Sequence, residues 1–497
     1  MAWTKEQLMA IEKSGSNIIV SAGAGSGKTA VLSERVIYKL THGIHIDELL
    51  ILTFTRAAAE EMKDRIRDNI KKKPELASEL DAIDSAYITT FDSFALSVVK
   101  KYHYLVGVKK DISITDESLV TLATDDILDD IFDRAYARGD EKFENLLKKY
   151  TIKNDSPIRK AILELIKKID SYIDKDAYFT YLENEFYSDD SLNKILDDFE
   201  SYVSEMKKKL SLELERGYSY FEEEFKTKMD DVLLPLLNTT SLEELATFKA
   251  TRLPNLPRGS TDETKEAKEK VKACMAELLS LIQFGDRKKI KEDILNTKET
   301  VEALVDILRS YYTQLAIFKK ENDIFTFGDI ASLAITILRD NEEAREELKN
   351  KFKEIMIDEY QDTNDVQETF ISMISNENVY MVGDIKQSIY RFRGSNPSIF
   401  KDKYDHYSNS DGGYKIDLIK NFRSRSEVLE NVNFIFALLM DDSLGGAAYT
   451  VSHEMVYGNT LYDDQRMNEL DYNCEIIEYD SDETKNFSNA EIEIFAI

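Results

Sequence analysis

Cysteine is almost absent from this sequence. Its 497 residues contain two, Cys274 and Cys474, far apart in the chain. So few thiols support neither a disulfide framework nor a cysteine-based metal site. Proline and glycine are also sparse, at 6 and 18 residues, which points to long helices and little low-complexity linker. No apolar run approaches the roughly 18–20 residues of a membrane span. The opening Met-Ala-Trp-Thr-Lys-Glu-Gln lacks the apolar core of a secretory signal. A reducing cytoplasm and no membrane partner are therefore expected. Positive charge is in deficit too: 65 Lys and Arg stand against 94 Asp and Glu, a net charge of −29. Nucleic-acid phosphates are held by Lys and Arg, so any DNA contact must follow a local basic track.

What the sequence does contain is a regular alternation of strands and helices. Residues 17–21 (NIIVS) form a short apolar strand that stops at a glycine-rich loop, and 28–40 follow with helical periodicity. A second strand at 49–54 precedes a polar helix at 57–72, and a third at 87–91 precedes another helix. Strand signals return at 353–358, 378–383 and 414–419. Such repetition predicts an α/β fold built on a parallel sheet, with ligand groups at the C-terminal strand ends. Between about 115 and 320 the pattern changes to apolar residues at three and four spacing among dense charge, as at 118–136, 158–173 and 191–216. That block reads as an all-helical insertion, interrupted by a loop at 251–263. Its charge runs, Lys207–Lys209 and Arg287–Lys289, read as solvated helix faces.

Two motifs carry chemistry. Residues 22–29 read Ala22-Gly23-Ala24-Gly25-Ser26-Gly27-Lys28-Thr29, between an apolar strand and a helix. Glycines let backbone N–H groups close around phosphate oxygens, and the helix adds its positive end. In this pattern Lys28 reaches the β and γ phosphates and the Thr29 hydroxyl ligates Mg²⁺. The generic pattern opens with Gly, where this chain has Ala22. The second motif is Glu-Ile-Met-Ile-Asp-Glu at 354–359, an apolar strand delivering Asp358 and Glu359 to the sheet edge. Magnesium needs a hard oxygen ligand, which Asp358 supplies, and hydrolysis needs a group to orient water, for which Glu359 is the candidate. Together the two motifs complete one ATP–Mg²⁺ site.

These residues resemble superfamily 1 DNA helicases of the UvrD/Rep type, and among them the AddA (also RexA) subunits of the bacterial AddAB (RexAB) helicase–nucleases. The resemblance covers about 1–100 and 323–435, and extends to the loop at 251–270. It implies a RecA-like P-loop NTPase sheet with helices on both faces. It also implies roles for single residues. Gln7 would read the adenine edge. Phe54, Thr55 and Arg56, in TFTRAAA at 53–59, would grip single-stranded DNA. Thr90 and Phe91 belong to TTFDSF at 89–94, the next DNA-contacting motif, in which many relatives have His at the position of Asp92. Residues 358–363 (DEYQDT) match the hydrolysis motif, and 383–394 (GDIKQSIYRFRG) the motif that couples γ-phosphate to DNA. There Gln387 would sense the phosphate, and Phe392, where many relatives carry Trp, would stack on a base. In NFRS at 421–424, Phe422 would stack on adenine and Arg423 would touch the γ-phosphate.

A motor that ignores sequence must hold bases by stacking. Phe392, flanked by Arg391 and Arg393, suits that task; Phe54, at a strand end, suits a core position equally well. The expected organisation is a first part of motor domain 1A at 1–114, a helical insertion at 115–322, a second part of 1A at 323–435, and a truncated start of a second motor domain at 436–497. Residues 473–478 read as a strand, and Ser488 with Glu491 as a capping box opening a helix near 489, which predicts that the natural protein continues. No candidate follows residue 435 for the arginine that completes hydrolysis from the second motor domain, and no nuclease-like carboxylate/lysine cluster is present.

The expected partners are ATP, Mg²⁺, DNA ends and, by resemblance, a second protein of the AddB/RexB kind. The expected function is the N-terminal motor part of a helicase–nuclease acting in break repair and recombination. A stand-alone UvrD/Rep-type helicase, or a nucleotide-gated DNA-binding module without turnover, are the alternatives.

Overall fold

The computed structural model describes residues 3–440 except 116, 151–153, 171, 173, 250 and 410, together with Tyr449 and 454–459. The strand expected at 473–478 and the helix expected near 489 lie outside the described residues, as does Cys474. The chain divides into two compact units, one formed by Met1–Asp116 with Asp323–Ile497 and the other by Glu117–Asn322.

The first unit is built on a six-stranded parallel sheet. Its strands are β1 (Ile18–Ala22), β2 (Leu49–Thr53), β3 (Tyr87–Thr90), β4 (Glu354–Ile357), β5 (Val379–Gly383) and β6 (Tyr414–Leu418), in the order β3-β2-β4-β5-β1-β6. Parallel strands covered on both sides read as continuous apolar runs, because both faces must be buried. The side chains divide accordingly. Ile19, Leu50, Leu52, Ile355, Ile357, Val379 and Met381 join one core cluster, with the helices Phe91–Lys101, Phe327–Asp340 and Asp365–Ile374. Ile18, Val20, Leu49, Ile51, Met356, Tyr380 and Val382 join the opposite cluster, with α1 (Lys5–Glu12), α2 (Lys28–Thr41) and α3 (Arg56–Lys71). A short parallel pair, β7 (Lys420–Asn421) with β8 (Val456–Tyr457), follows β6.

The second unit contains only helices among its described residues, with two cores of its own. One joins Glu117–Arg138, Glu141–Tyr150 and Ser156–Ile169 to Lys298–Glu321 through Phe132, Ile162 and Tyr311. The other joins Asp189–Gly217, Glu223–Leu237 and Asp262–Ser280 through Leu210, Met229 and Leu278. The lysine and arginine runs pair within the unit: Lys209 with Glu277, Arg287 with Asp197 and Glu200, and Lys289 with Asp293.

Candidate functional site

The C-terminal ends of β1, β4 and β5 bring the phosphate loop, the acidic pair and residues 384–387 together. Ala22 is the last residue of β1, fully buried and paired with Leu418 of β6. The departure from Gly at this position therefore falls in the strand, where a methyl group packs into the core. The bend comes later. Gly25 and Gly27 have φ of +71° and +88°, and Gly27 caps α2 in the left-handed conformation.

At the head of α2, Lys28 Nζ donates to Glu359 Oε2 at 2.8 Å and to Gln387 Oε1 at 3.4 Å. Thr29 follows, half-buried, in the first turn. Asp358 is fixed at the end of β4 by its N–H, which donates to Leu52 O at 2.9 Å. Glu359 then adopts φ +51° and ψ +45°, a left-handed conformation that a side chain normally avoids. Burial, with the neighbouring Glu359 charge, pushes the Asp358 carboxyl up to about 6, against the opposing pull of Lys28. Burial likewise raises Asp362 to about 6, and its Oδ1 has no hydrogen-bond partner among the described residues.

Three residues that lie in the matched motifs, but to which the sequence assigns no role of their own, complete this site. Gln361 and Asp384 close it into a ring. Gln361 Nε2 donates to Glu359 Oε2 at 2.8 Å, and its Oε1 accepts from Asp384 N at 2.9 Å. Asp384 Oδ2 accepts from Gln387 Nε2 at 2.8 Å, and Gln387 leads back to Lys28. A Cβ on Gly383 would lie 2.5 Å from Gln361 Oε1, so glycine is required there. The third residue is Asn421. Its Nδ2 donates to Ala24 O at 2.7 Å and its Oδ1 accepts from the N–H groups of Arg423 and Ser424. The Phe422 N–H adds a bond to Gly25 O at 2.8 Å, docking NFRS onto the phosphate loop. A Cβ on Gly25 would meet Arg423 Cβ and Asn421 Nδ2 at 2.8 Å.

A cleft of ≈ 630 Å³ opens beside this loop, lined by Thr4, Gln7, Ser26, Phe422 and Val456 among others. Gln7 Nε2 donates to Ser26 O at 3.0 Å, and its Oε1 accepts from Thr4 N in a capping box. By its inventory of donors and lone pairs, the amide keeps one of each for a ligand.

The residues expected to contact DNA divide. Phe54 packs on Tyr390, with ring centroids 4.7 Å apart, and Tyr390 lies 6.0 Å from Phe392. Phe392 is 77% exposed. The structure thus brings Phe54 and Phe392 into one aromatic row through Tyr390, a link the sequence does not reveal. Thr55 caps α3 by accepting from Ala58 N, and Arg56 is exposed beside it. Thr90 is buried and caps Phe91–Lys101, bonding Ser93. Phe91 is placed differently from Phe392. Its ring is buried in the core, edge-on to Phe370 at 5.3 Å. Asp92 is pushed up by burial, and the Arg56 charge opposes that shift. Arg423 is exposed.

Comparison with known proteins agrees with this geometry. The sequence model of the UvrD/REP helicase N-terminal domain matches residues 3–408. This chain belongs to the UvrD/REP helicase family. Among curated proteins, this UvrD/REP chain is 32% identical to an ATP-dependent helicase/nuclease protein, the AddA type of subunit, of Ligilactobacillus salivarius, over 98% of its own length and 42% of that protein. Proteins of the same name from Clostridium perfringens (strain SM101) and Clostridium botulinum (strain Hall) are 35% and 34% identical, over 90% and 92% of this chain and 39% and 41% of theirs. The chain thus spans about two fifths of the length of these relatives. Among the described residues, no helix of this UvrD/REP chain is long and apolar enough to cross a membrane.

Proposed function

We propose that this chain is the ATP-binding N-terminal part of an ATP-dependent DNA helicase/nuclease that moves along single-stranded DNA in break repair and recombination. The observation that carries this reading is the closed ring Lys28–Glu359–Gln361–Asp384–Gln387. It joins the phosphate loop to the segment that continues into Tyr390 and Phe392.

Within this reading, the backbone of Ala22–Lys28 wraps the phosphates and Lys28 neutralises their charge. Glu359 orients the attacking water. Gln387 senses the γ-phosphate and Arg423 approaches it. Gln7 and Phe422 hold the adenine in the cleft they line. Phe54, Tyr390 and Phe392 stack on bases, with Arg56 at the phosphates; Thr55 and Thr90 shape the two helix ends that face the strand.

Magnesium fits as an ion shared with the nucleotide. No three His, Cys, Asp or Glu side chains converge on a protein-only cage among the described residues, and Mg²⁺ held through one carboxylate plus phosphates needs none. Asp358, a carboxylate that burial pushes up to about 6, and the Thr29 hydroxyl would hold it. The ion would supply charge neutralisation on the phosphates.

We read 1–114 and 323–435 as two parts of one motor domain, 115–322 as its insertion, and 436–497 as the start of a second. The relatives' names, which describe one subunit of a complex, favour a second helicase/nuclease subunit of the AddB/RexB kind as the partner, and the cytoplasm is the compartment that a DNA-repair role implies. The test is ATP hydrolysis by the chain with and without single-stranded DNA. DNA-stimulated turnover abolished by both Lys28→Ala and Glu359→Gln supports the reading. Absence of nucleotide binding, or binding insensitive to Lys28→Ala, overturns it.

A further inference from the structure

Beneath the nucleotide site lies a charged cluster that none of the roles above uses. Arg35, on α2 about two turns beyond Lys28, is fully buried. Its Nε donates to Glu354 Oε2 at 2.9 Å and its Nη2 to Glu354 Oε1 at 2.5 Å. Its Nη1 donates to Ala10 O at 2.9 Å and Ile11 O at 3.1 Å. The guanidinium lies over the Tyr380 ring at 4.1 Å. Lys39, one turn further, donates to Glu354 Oε1 at 2.9 Å and to Ser14 Oγ at 2.8 Å.

Each partner leads to a different part of the site. Ala10 and Ile11 close α1, whose first turn carries Gln7. Glu354 opens β4, which ends at Asp358 and Glu359. Arg35 itself sits on the helix that starts at Lys28. A helix of eight residues such as α1 is marginal alone and leaves its last carbonyls without partners. Arg35 satisfies two of them, while Gln7 anchors the other end of α1 to the phosphate loop through Ser26 O. A buried ion pair adds little net stability over well-packed apolar side chains, because desolvation offsets the attraction. What a forked, rigid guanidinium does supply is fixed geometry in one plane.

We propose that Arg35 and Glu354 are positioning residues that set the base-reading helix α1 in register with the phosphate-loop helix and the strand bearing the acidic pair. This rests on the reading of Gln7 as a contact to the nucleotide base. The pair therefore governs discrimination between adenine and other bases, while phosphate affinity depends on Lys28.

The test uses the whole 497-residue chain and fluorescent ATP and GTP analogues as probes, with folding checked by thermal melting. Five variants are compared: Arg35→Lys, which keeps the charge balance but loses the fork; Arg35→Met/Lys39→Met/Glu354→Leu, which replaces the cluster with apolar volume; Gln7→Ala; Arg35→Lys combined with Gln7→Ala; and Lys28→Ala. Wild type is expected to prefer ATP by about tenfold or more, the value of one or two polar contacts. Arg35→Lys and the apolar triple variant should lower that preference to about threefold or less while remaining folded, and Arg35→Lys should add nothing in a Gln7→Ala background. Lys28→Ala should weaken both nucleotides alike. Folded Arg35→Lys that keeps the wild-type ATP preference overturns the proposal, whether or not the triple variant folds. A wild-type chain that binds neither nucleotide overturns the nucleotide reading itself, a result distinct from the failure of Arg35 alone.

Discussion

Lys28 Nζ and Glu359 Oε2 are 2.8 Å apart, so the cation of the phosphate loop is already paired with the acidic strand end. A nucleotide must take the lysine from that carboxylate. Glu359→Gln removes the competing charge along with the group proposed to orient water. It is expected to abolish turnover by roughly 100-fold or more while tightening ATP binding by roughly 2- to 10-fold, a modest gain because the pair is partly open to solvent. Equilibrium titration with an ATP analogue, alongside steady-state hydrolysis, checks both halves. Weaker ATP binding in the variant would contradict the pairing.

Asp358 bears on stability with a definite sign. Its folded pKa, about 6, lies above the usual carboxylate value. The fold therefore prefers the protonated form. That stabilising contribution is complete below the unfolded pKa and is lost as pH rises through about 6. In EDTA at pH 8, Asp358→Asn should raise stability by about 1–3 kcal/mol, and the gain should shrink below about pH 6. Thermal melting across pH reads this directly. The variant should also lose the extra stabilisation that Mg²⁺–ATP gives wild type.

Asn421 fastens NFRS to the phosphate loop through Ala24 O, and Gly25 leaves room for it. Asn421→Ala leaves several backbone groups without their partner and should cost about 1–3 kcal/mol. Gly25→Ala should weaken ATP at least as much, since it combines a positive φ with a 2.8 Å contact. Melting curves and ATP titration of the two variants would show the ranking.

Phe392 and Phe91 separate ligand contact from packing. Phe392→Ala removes an exposed ring and should leave the melting temperature unchanged. It should cost about 1–3 kcal/mol of single-strand affinity, the usual worth of one base–aromatic stack. Phe91→Ala empties a core position and should cost about 3–5 kcal/mol of stability. A Phe91→Ala protein that melts like wild type and binds DNA poorly would reverse the assignment.

Much of this is legible from local pattern. The six strands follow from apolar runs ending at polar or glycine residues, and Lys28, Asp358 and Glu359 fall where a parallel sheet presents its ligand groups. The burial of Phe91 is not legible in the sequence, because one residue past a strand end the choice between core and surface depends on what packs there, here Phe370. Gln361, Asp384, Asn421 and Tyr390 lie in motifs the sequence shows, but their individual roles are not legible there, because each makes a contact to a distant part of the chain. Asn421 reaches Ala24, and Tyr390 reaches Phe54, only once the sheet has aligned their strands. Arg35 is hidden for the same reason: on a helix of mixed charge, nothing in the sequence marks an arginine as buried.

The central claim is that the ring from Lys28 to Gln387 couples the nucleotide to the aromatic row. The most direct test is the affinity of the chain for a fluorescent oligo-dT strand, with and without a non-hydrolysable ATP analogue, in wild type and in Gln387→Ala. Coupling predicts that the analogue changes wild-type affinity by about fivefold or more, within the usual range for linked sites. It also predicts that Gln387→Ala binds both ligands but shows no such change. A wild-type chain whose DNA affinity ignores the nucleotide, or a Gln387→Ala chain that responds as wild type does, would contradict it.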